Sequence, residues 1–188
     1  QKASVSLEAG FANKIPAAQL LTKDGCGIDT VIAGGINRAV EAAKQCDVVV
    51  LAISEATNMS GEASSRAEIT LPAAQQALVE ALAATGKPLV VLLRNGRAMA
   101  LEGAVRDASA ILVTWFLGTE SGHAIADVVF GDKSPSGRLP VTFPIASGQQ
   151  PYYYARESSG RPPAPGTTHM FQSHFIGIPD DALYPFGH

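Results

Sequence analysis

Three short, almost wholly apolar runs recur along the chain and constrain its fold more than any other feature. They are Asp47–Ile53 (DVVVLAI), Leu89–Leu93 (LVVLL) and Ala110–Trp115 (AILVTW). Apolar runs of this length are typical of central parallel strands that are covered on both faces. Helical patterns separate the runs, and strands that alternate with helices predict right-handed βαβ units. We therefore expect an α/β layered sandwich of the flavodoxin-like kind, with a mostly parallel central sheet and helices on both faces.

Apolar residues at helical spacing mark segments before, between and after the predicted strands. They predict helices over 34–45, 72–85 and 122–130, and a short helix over 99–107. Residues 141–143 are interpreted as an edge strand.

The organisation beyond this core follows from composition. Periodicity is weak over 1–30, which we interpret as a partial start of the domain or a linker, and the sandwich core is assigned to 31–145. Most prolines lie in the last part of the chain. Residues 146–188 are therefore interpreted as an irregular extension that wraps the surface and leads towards a missing downstream domain.

Polar loops follow the three predicted strands, at 54–70, 94–97 and 116–121. Parallel strands end at one edge of their sheet, and ligands bind outside that edge. The topology gathers there the side chains of Glu55, Glu62, Arg66, Arg94, Asn95, Arg97, Trp115 and Glu120. Gly61 gives the backbone before Glu62 conformational freedom that helps to present a side chain. Glu62 is thus the first candidate for chemistry.

Composition excludes several other classes of protein. The net charge is −3 and no basic cluster appears, which disfavours nucleic-acid and anionic-membrane partners. No apolar run approaches the ~20 residues that span a bilayer.

Cys26 and Cys46 make no zinc site and are expected to be buried free thiols, with a disulfide as the alternative for an exported protein. His123 has no partner in the sequence, so no metal site is predicted.

Longer motifs carry a family resemblance. In order, they are DVVVLAISEATNMSGEASSR, ITLPAAQQALVEALAATGKPLVVLLRNGR, ILVTWFLGTESGHAIADVVFGDKSPSGRLPVTFP, PYYYARESSGRP and LYPFGH. With these motifs the chain resembles the C-terminal α/β-sandwich domain of glycoside hydrolase family 3, of the periplasmic β-glucosidase type. Leu117 and Ala98 stand where the family usually has proline, and residues 1–30 match poorly.

The resemblance implies a retaining, exo-acting β-glucosidase with an active site shared between two domains. A (β/α)8 barrel, absent from this chain, would carry an aspartate nucleophile, and the sandwich would supply the general acid/base. Glu62 aligns with that role. The resemblance also implies a β-glucoside or oligosaccharide substrate, no cofactor, and a periplasmic or secreted location.

The other rim residues have competing interpretations. Glu55 and Glu120 compete with Glu62 as the acid, but a carboxylate beside a helix N-terminus, such as Glu120, is more often a structural cap. Arg66 suits an ion pair within the domain or a sugar hydroxyl. The remaining assignments, to substrate binding or to bracing of the loops, are Ser60, Asn95, Arg97 and Trp115.

Two other functions remain open. The sandwich could be a non-catalytic module that binds carbohydrate or stabilises a barrel. A nucleotide-binding role is weaker, because no glycine-rich phosphate loop follows the first strand. The 54–70 loop has few apolar residues, so we expect it to be mobile unless another domain packs on it.

Overall fold

A computed structural model describes residues 4–155, 157, 160–164, 167 and 171–188. The residues form two compact units, which are considered separately. The first comprises Gln1–Ser65, Leu71–Arg97 and Gly103–Ser136, and the second comprises Arg66–Thr70, Ala98–Glu102 and Gly137–His188. The predicted boundaries at residues 30 and 145 stay predictions.

The first unit has the predicted α/β architecture. Its elements are, in chain order, α1 (Leu7–Ala12), α2 (Gly35–Lys44), β1 (Val49–Ser54), α3 (Ala73–Ala83), β2 (Leu89–Arg94), β3 (Ala110–Val113) and α4 (Ser121–Val129). The three strands are parallel and lie in the order β1-β2-β3, with Leu51 opposite Val91 and Val91 opposite Ile111. The predicted parallel sheet is confirmed.

Helices cover the sheet because its central strand is apolar on both sides. Leu92 belongs to a core cluster with Phe11 of α1 and with Ile125 and Ala126 of α4. Successive strand residues point to opposite faces, so Val91 and Leu93, both with no exposed surface, project from the other face. Helix α3 contacts β1 and α2.

Strand β1 is an outer strand of this sheet. Its residues Leu51 and Ile53 are buried, whereas Val50, which alternates with them, is 36% exposed. At the carboxyl end of β1, the side chain of Gln75 makes the hydrogen bonds to Ser54 that a neighbouring strand would otherwise make. The amide oxygen of Gln75 accepts a hydrogen bond from Ser54 N at 2.7 Å, and its nitrogen donates to Ser54 O and Ile28 O at 2.8 and 2.6 Å.

Two sequence-based expectations of secondary structure were wrong. The segment 99–107 contains only a 3₁₀ turn at Gly103–Val105, because Gly103 adopts a positive φ of 58° and Met99–Leu101 are buried in succession rather than along one helical face. The expected edge strand at 141–143 is reduced to a single antiparallel bridge from Phe143 to Tyr184. Prolines 140 and 144 flank it, and proline offers no N–H to a ladder.

The second unit is irregular, as expected for the C-terminal extension. In its described part the regular structure consists of a 3₁₀ turn at Ser147–Gln149 and the bridge above. Gln149 is 2% exposed and organises the chain around it. Its side chain accepts a bond from Ile145 N at 2.6 Å and donates to Pro179 O and Asp181 O at 3.0 and 3.2 Å.

Two further expectations concern the state of the cysteines and the absence of membrane-spanning segments. Cys26 and Cys46 are free thiols, but both are half-buried rather than buried, and burial raises the pKa of the Cys26 thiol. Among the described residues, none of the helices has the length and apolar character needed to cross a membrane.

Candidate acid/base loop and its support

The candidate site is built at the carboxyl end of β1. Strand pairing continues one residue beyond β1, since Glu55 N donates to Arg94 O at 3.0 Å. The chain then leaves the sheet as an irregular loop over residues 55–65, called here the 55–65 loop. The tight turn after Glu55 is closed by Met59 N, which donates to Ala56 O at 2.9 Å.

Glu55 lies at the start of this loop, and its carboxylate binds two groups of the turn after β2. Its side chain has no exposed surface, and its Oε1 accepts a hydrogen bond from Arg97 Nε at 2.9 Å. Its Oε2 accepts from the backbone N of Gly96 at 3.0 Å. A buried carboxylate is tolerated only when it is paired and hydrogen-bonded, as here. Glu55 therefore joins the ends of β1 and β2.

Arg97 extends this link into the 55–65 loop. Its Nη2 donates to Met59 O and to Ser64 O, the latter at 2.8 Å. Its own carbonyl oxygen accepts from Asn95 Nδ2 at 2.5 Å. Asn95 has no exposed surface, and within the described part of the chain its Oδ1 has no hydrogen-bond partner.

Ser60 packs against the turn that follows β2. A methyl group built on Gly96 would lie 2.0 Å from Ser60 Oγ and 2.9 Å from Phe116 Cε2. Any larger residue at position 96 would therefore require the side chains of Ser60 and Phe116 to shift.

Glu62 lies at the outer part of the 55–65 loop and is exposed. Among the described residues, its carboxylate has no ion-pair partner and no hydrogen-bond partner. The backbone on both sides is unusual, with φ of 120° at Gly61 and 57° at Ala63. A non-glycine residue in this left-handed region costs on the order of 1 kcal/mol or more, so the surrounding contacts must hold it.

Glu120 has a different environment from the one expected. It immediately precedes α4, but its side chain makes no capping hydrogen bond to that helix. Its Oε2 lies 2.9 Å from His123 Nδ1, and His123 Nε2 lies 3.0 Å from Asn13 Nδ2. The carboxylate of Glu120 thus contacts a histidine one turn along α4 rather than the helix N-terminus.

The remaining predicted site residues are Trp115 and Arg66. Trp115 follows β3, is half-buried and has a positive φ of 54°, which ends the strand two residues earlier than expected. Arg66 belongs to the second unit, where its Nη2 donates to Thr70 O at 3.0 Å. The structure thus brings Glu55 and Ser60, of the loop that carries Glu62, next to the turn after β2 that contains Asn95 and Arg97.

Two supporting residues were missed by the sequence analysis. Gln75 is 3% exposed, although it was treated as an ordinary helix residue. Its signal was present, since it falls on the apolar face defined by Leu71, Ala74 and Leu78. Gly96 lies within the predicted 94–97 loop, and nothing in the sequence shows that Ser60 would pack on it.

A three-stranded parallel sheet with helices on both faces, and polar loops at its carboxyl edge, defines an α/β-sandwich domain. The profile of the Glycosyl hydrolase family 3 C-terminal domain matches residues 2–188. The chain therefore belongs to the C-terminal domain family of glycosyl hydrolase family 3.

Individual relatives agree with this assignment. The chain is 52% identical over 153 residues to a periplasmic β-glucosidase of Salmonella typhimurium, an alignment that covers 81% of this chain and 20% of the relative. It is 41% identical over 130 residues to a β-xylosidase of Formosa agariphila, covering 69% of this chain and 18% of the relative. The crystal structure of a β-glucosidase from Listeria innocua superposes with a TM-score of 0.90 at 34% identity, covering 98% of this chain and 25% of that one. The chain thus spans about a fifth to a quarter of the length of these relatives.

Proposed function

We propose that this domain supplies the general acid/base of a retaining, exo-acting β-glucosidase, and that Glu62 is the acid/base. The aspartate nucleophile would lie on a (β/α)8 barrel elsewhere in the same polypeptide. The substrate class is a β-glucoside or oligosaccharide, no cofactor takes part, and the location is periplasmic or secreted. The relatives named as β-glucosidases, one of them periplasmic, support these assignments.

The difference between the three candidate carboxylates carries the proposal. Glu55 is buried in an ion pair with Arg97, and Glu120 contacts His123. Glu62 is exposed on a loop at the carboxyl edge of the sheet, and among the described residues its carboxylate is unpaired. A general acid must reach the substrate and exchange its proton, which Glu62 alone of the three can do without breaking a structural contact.

The chemistry explains why a second domain is required. Retaining glycosidases place two carboxyl groups about 5–5.5 Å apart, one as nucleophile and the other as proton donor and then base. The donor must be protonated before the glycosidic bond breaks, so its pKa must be raised by apolar surroundings or by a neighbouring carboxylate. An exposed Glu62 meets neither condition by itself. Packing of a barrel and a sugar on the 55–65 loop would remove water from Glu62 and bring the nucleophile near it.

The other residues then fall into two groups under this proposal. Glu55, Asn95 and Arg97 brace the loop. Ser60, Arg66, Trp115 and Glu120 stay candidates for contact with the sugar or with the barrel.

The test is the substitution Glu62→Gln in the complete enzyme. Loss of acid catalysis should slow cellobiose hydrolysis by about 10²–10⁴-fold. A dinitrophenyl glucoside, whose leaving group needs little protonation, should be cleaved with a much smaller loss in its first step, and azide should restore turnover of that substrate. Glu68→Gln, an exposed carboxylate six residues along the chain, is the matched control. Near-normal cellobiose turnover in the Glu62→Gln enzyme would refute the assignment and favour a non-catalytic, barrel-stabilising module.

A further inference from the structure

The turn that presents Glu62 depends on one side chain outside the loop. We propose that Arg97 is a positioning residue that fixes Glu62 for proton transfer, an inference that rests on the proposed role of Glu62. The observations that carry it are the backbone of the turn, the contacts of the Arg97 guanidinium, and the groups that fix Arg97 itself.

The turn is not a conformation that its own sequence favours. Ala63 has a φ of 57°, in the region that side-chain-bearing residues rarely adopt, and Gly61 has a φ of 120°. The described contacts within the turn are weak, with Ser64 N donating to Gly61 O and Ser64 Oγ donating to Glu62 O, both at 3.3 Å. A strained backbone persists only when surrounding structure holds it.

Arg97 is the group that holds this turn from outside. Its Nη2 donates both to Met59 O, before the turn, and to Ser64 O, after it. One nitrogen atom therefore fixes the distance between Met59 O and Ser64 O. Gly61, Glu62 and Ala63 lie between these two residues. Glu62 itself does not contact Arg97 in the described structure, so the arginine acts on it through the backbone.

The guanidinium is itself held rigidly. Glu55, with no exposed side-chain surface, accepts from Arg97 Nε at 2.9 Å and is fixed in turn by Gly96 N at 3.0 Å. The planar fork of arginine can serve a carboxylate and two carbonyls at once. A lysine ammonium can keep the charge beside Glu55, but it lacks the fixed directions that serve the two carbonyls as well.

A general acid can act only when its carboxyl group lies close to the atom that receives the proton. Proton transfer requires the donor within about 2.6–3.2 Å of the acceptor, and a displacement of about 1 Å can cost on the order of 100-fold in rate. Loosening the turn should therefore reduce acid catalysis while leaving the nucleophile untouched.

The activity test uses Arg97→Lys and Arg97→Ala in the complete enzyme. Both should lower kcat on cellobiose by roughly 10- to 100-fold, because the acid is misplaced, and should change the first step with a dinitrophenyl glucoside by less than about 3-fold, because that step needs little acid. In the E62Q background, Arg97→Ala should cause no further loss on cellobiose. Arg38→Ala, an exposed arginine on α2, is the control and should leave both substrates unchanged. Equal losses on both substrates, or losses that multiply with those of E62Q, would show a general structural role and overturn the proposal.

A second measurement on the 188-residue chain separates this proposal from the function of Glu62. Amide exchange at residues 61–64 should accelerate in Arg97→Ala but not in Arg38→Ala, with the strands unaffected. Unchanged exchange would overturn the positioning role even if Glu62 proves to be the acid. Accelerated exchange, combined with a Glu62→Gln enzyme of normal activity, would refute the acid/base assignment, and with it the catalytic role of Arg97.

Discussion

The hydroxyl group of Ser60 lies directly over the α carbon of Gly96, so that a methyl group on residue 96 would come within 2.0 Å of Ser60 Oγ. A side chain on residue 96 would thus displace Ser60 of the loop after β1. This contact, together with the Glu55–Arg97 pair, leads to the first two predictions.

Gly96→Ala should displace Ser60 and with it the 55–65 loop. Overpacking of this kind costs about 1–3 kcal/mol of unfolding free energy, measurable as a lower urea midpoint at constant m. Gly118→Ala is the control, because nothing lies within 4 Å of the position of its added methyl group. If the two variants have equal midpoints, the loop yields freely and the packing is not restrictive.

Glu55→Gln should destabilise the chain, although glutamine and glutamate have nearly the same shape. The substitution removes the charge that pairs with Arg97, and the single amide oxygen of glutamine can accept from Gly96 N or from Arg97 Nε but not from both. We expect a loss of about 2–4 kcal/mol by urea unfolding, because one member of a buried ion pair is left uncompensated. Glu68→Gln, at an exposed position, should change stability by less than about 0.5 kcal/mol. A stable Glu55→Gln chain would mean that the pair is not needed.

Gln75→Leu tests the polar support at the end of β1. It leaves Ser54 N and two carbonyl oxygens, of Ser54 and Ile28, without the amide that now serves them. The expected cost is about 2–4 kcal/mol of unfolding free energy, since buried unpaired groups are expensive. Gln45→Leu removes only a bond to Glu41 O on the surface of α2 and should be nearly neutral. A stabilised Gln75→Leu chain would show that water reaches these groups.

The Lys14–Asp127 contact predicts a specific acid sensitivity. The Lys14 ammonium holds the pKa of the Asp127 carboxyl below its ordinary value. The contact therefore stabilises the fold above about pH 4, the unfolded-state value, and this contribution is lost as the pH falls through the lower folded-state pKa. Thermal midpoints of Asp127→Asn from pH 6 to pH 2 should fall less steeply than those of the parent chain. Glu41→Gln, which alters an exposed pair with Lys44, is the comparison. Parallel curves for Asp127→Asn and the parent would contradict the linkage.

The sequence was sufficient for the sheet but not for the details of the site. Apolar runs such as Leu89–Leu93 identify a buried parallel strand by composition alone, and the topology then places every following loop at one edge. The burial of Glu55 could not be predicted, because a glutamate at the start of a polar loop has the pattern of a surface residue. Its burial depends on Arg97, 42 positions away, and on the backbone of Gly96.

Backbone conformation was the second feature of the structure that the sequence did not predict. The positive φ of Trp115 stops β3 at Val113, although the apolar pattern continues to Trp115. The positive φ of Ala63 likewise gives no signal in the residue type, since alanine disfavours it. Neither positive φ can therefore be read from the residue type alone.

The outer position of β1 also has a consequence for the behaviour of many copies in solution. In the described structure one edge of this strand pairs with β2, and the exposed side chain of Val50 lies on the face opposite to Leu51 and Ile53. An apolar strand edge of this kind templates sheet growth from one molecule to the next. We therefore expect this strand to influence the solubility of the separate chain more than its unfolding free energy. Val50→Lys, at an exposed position, should leave the core intact and set a charge against each incoming copy, so the chain should precipitate at a higher concentration.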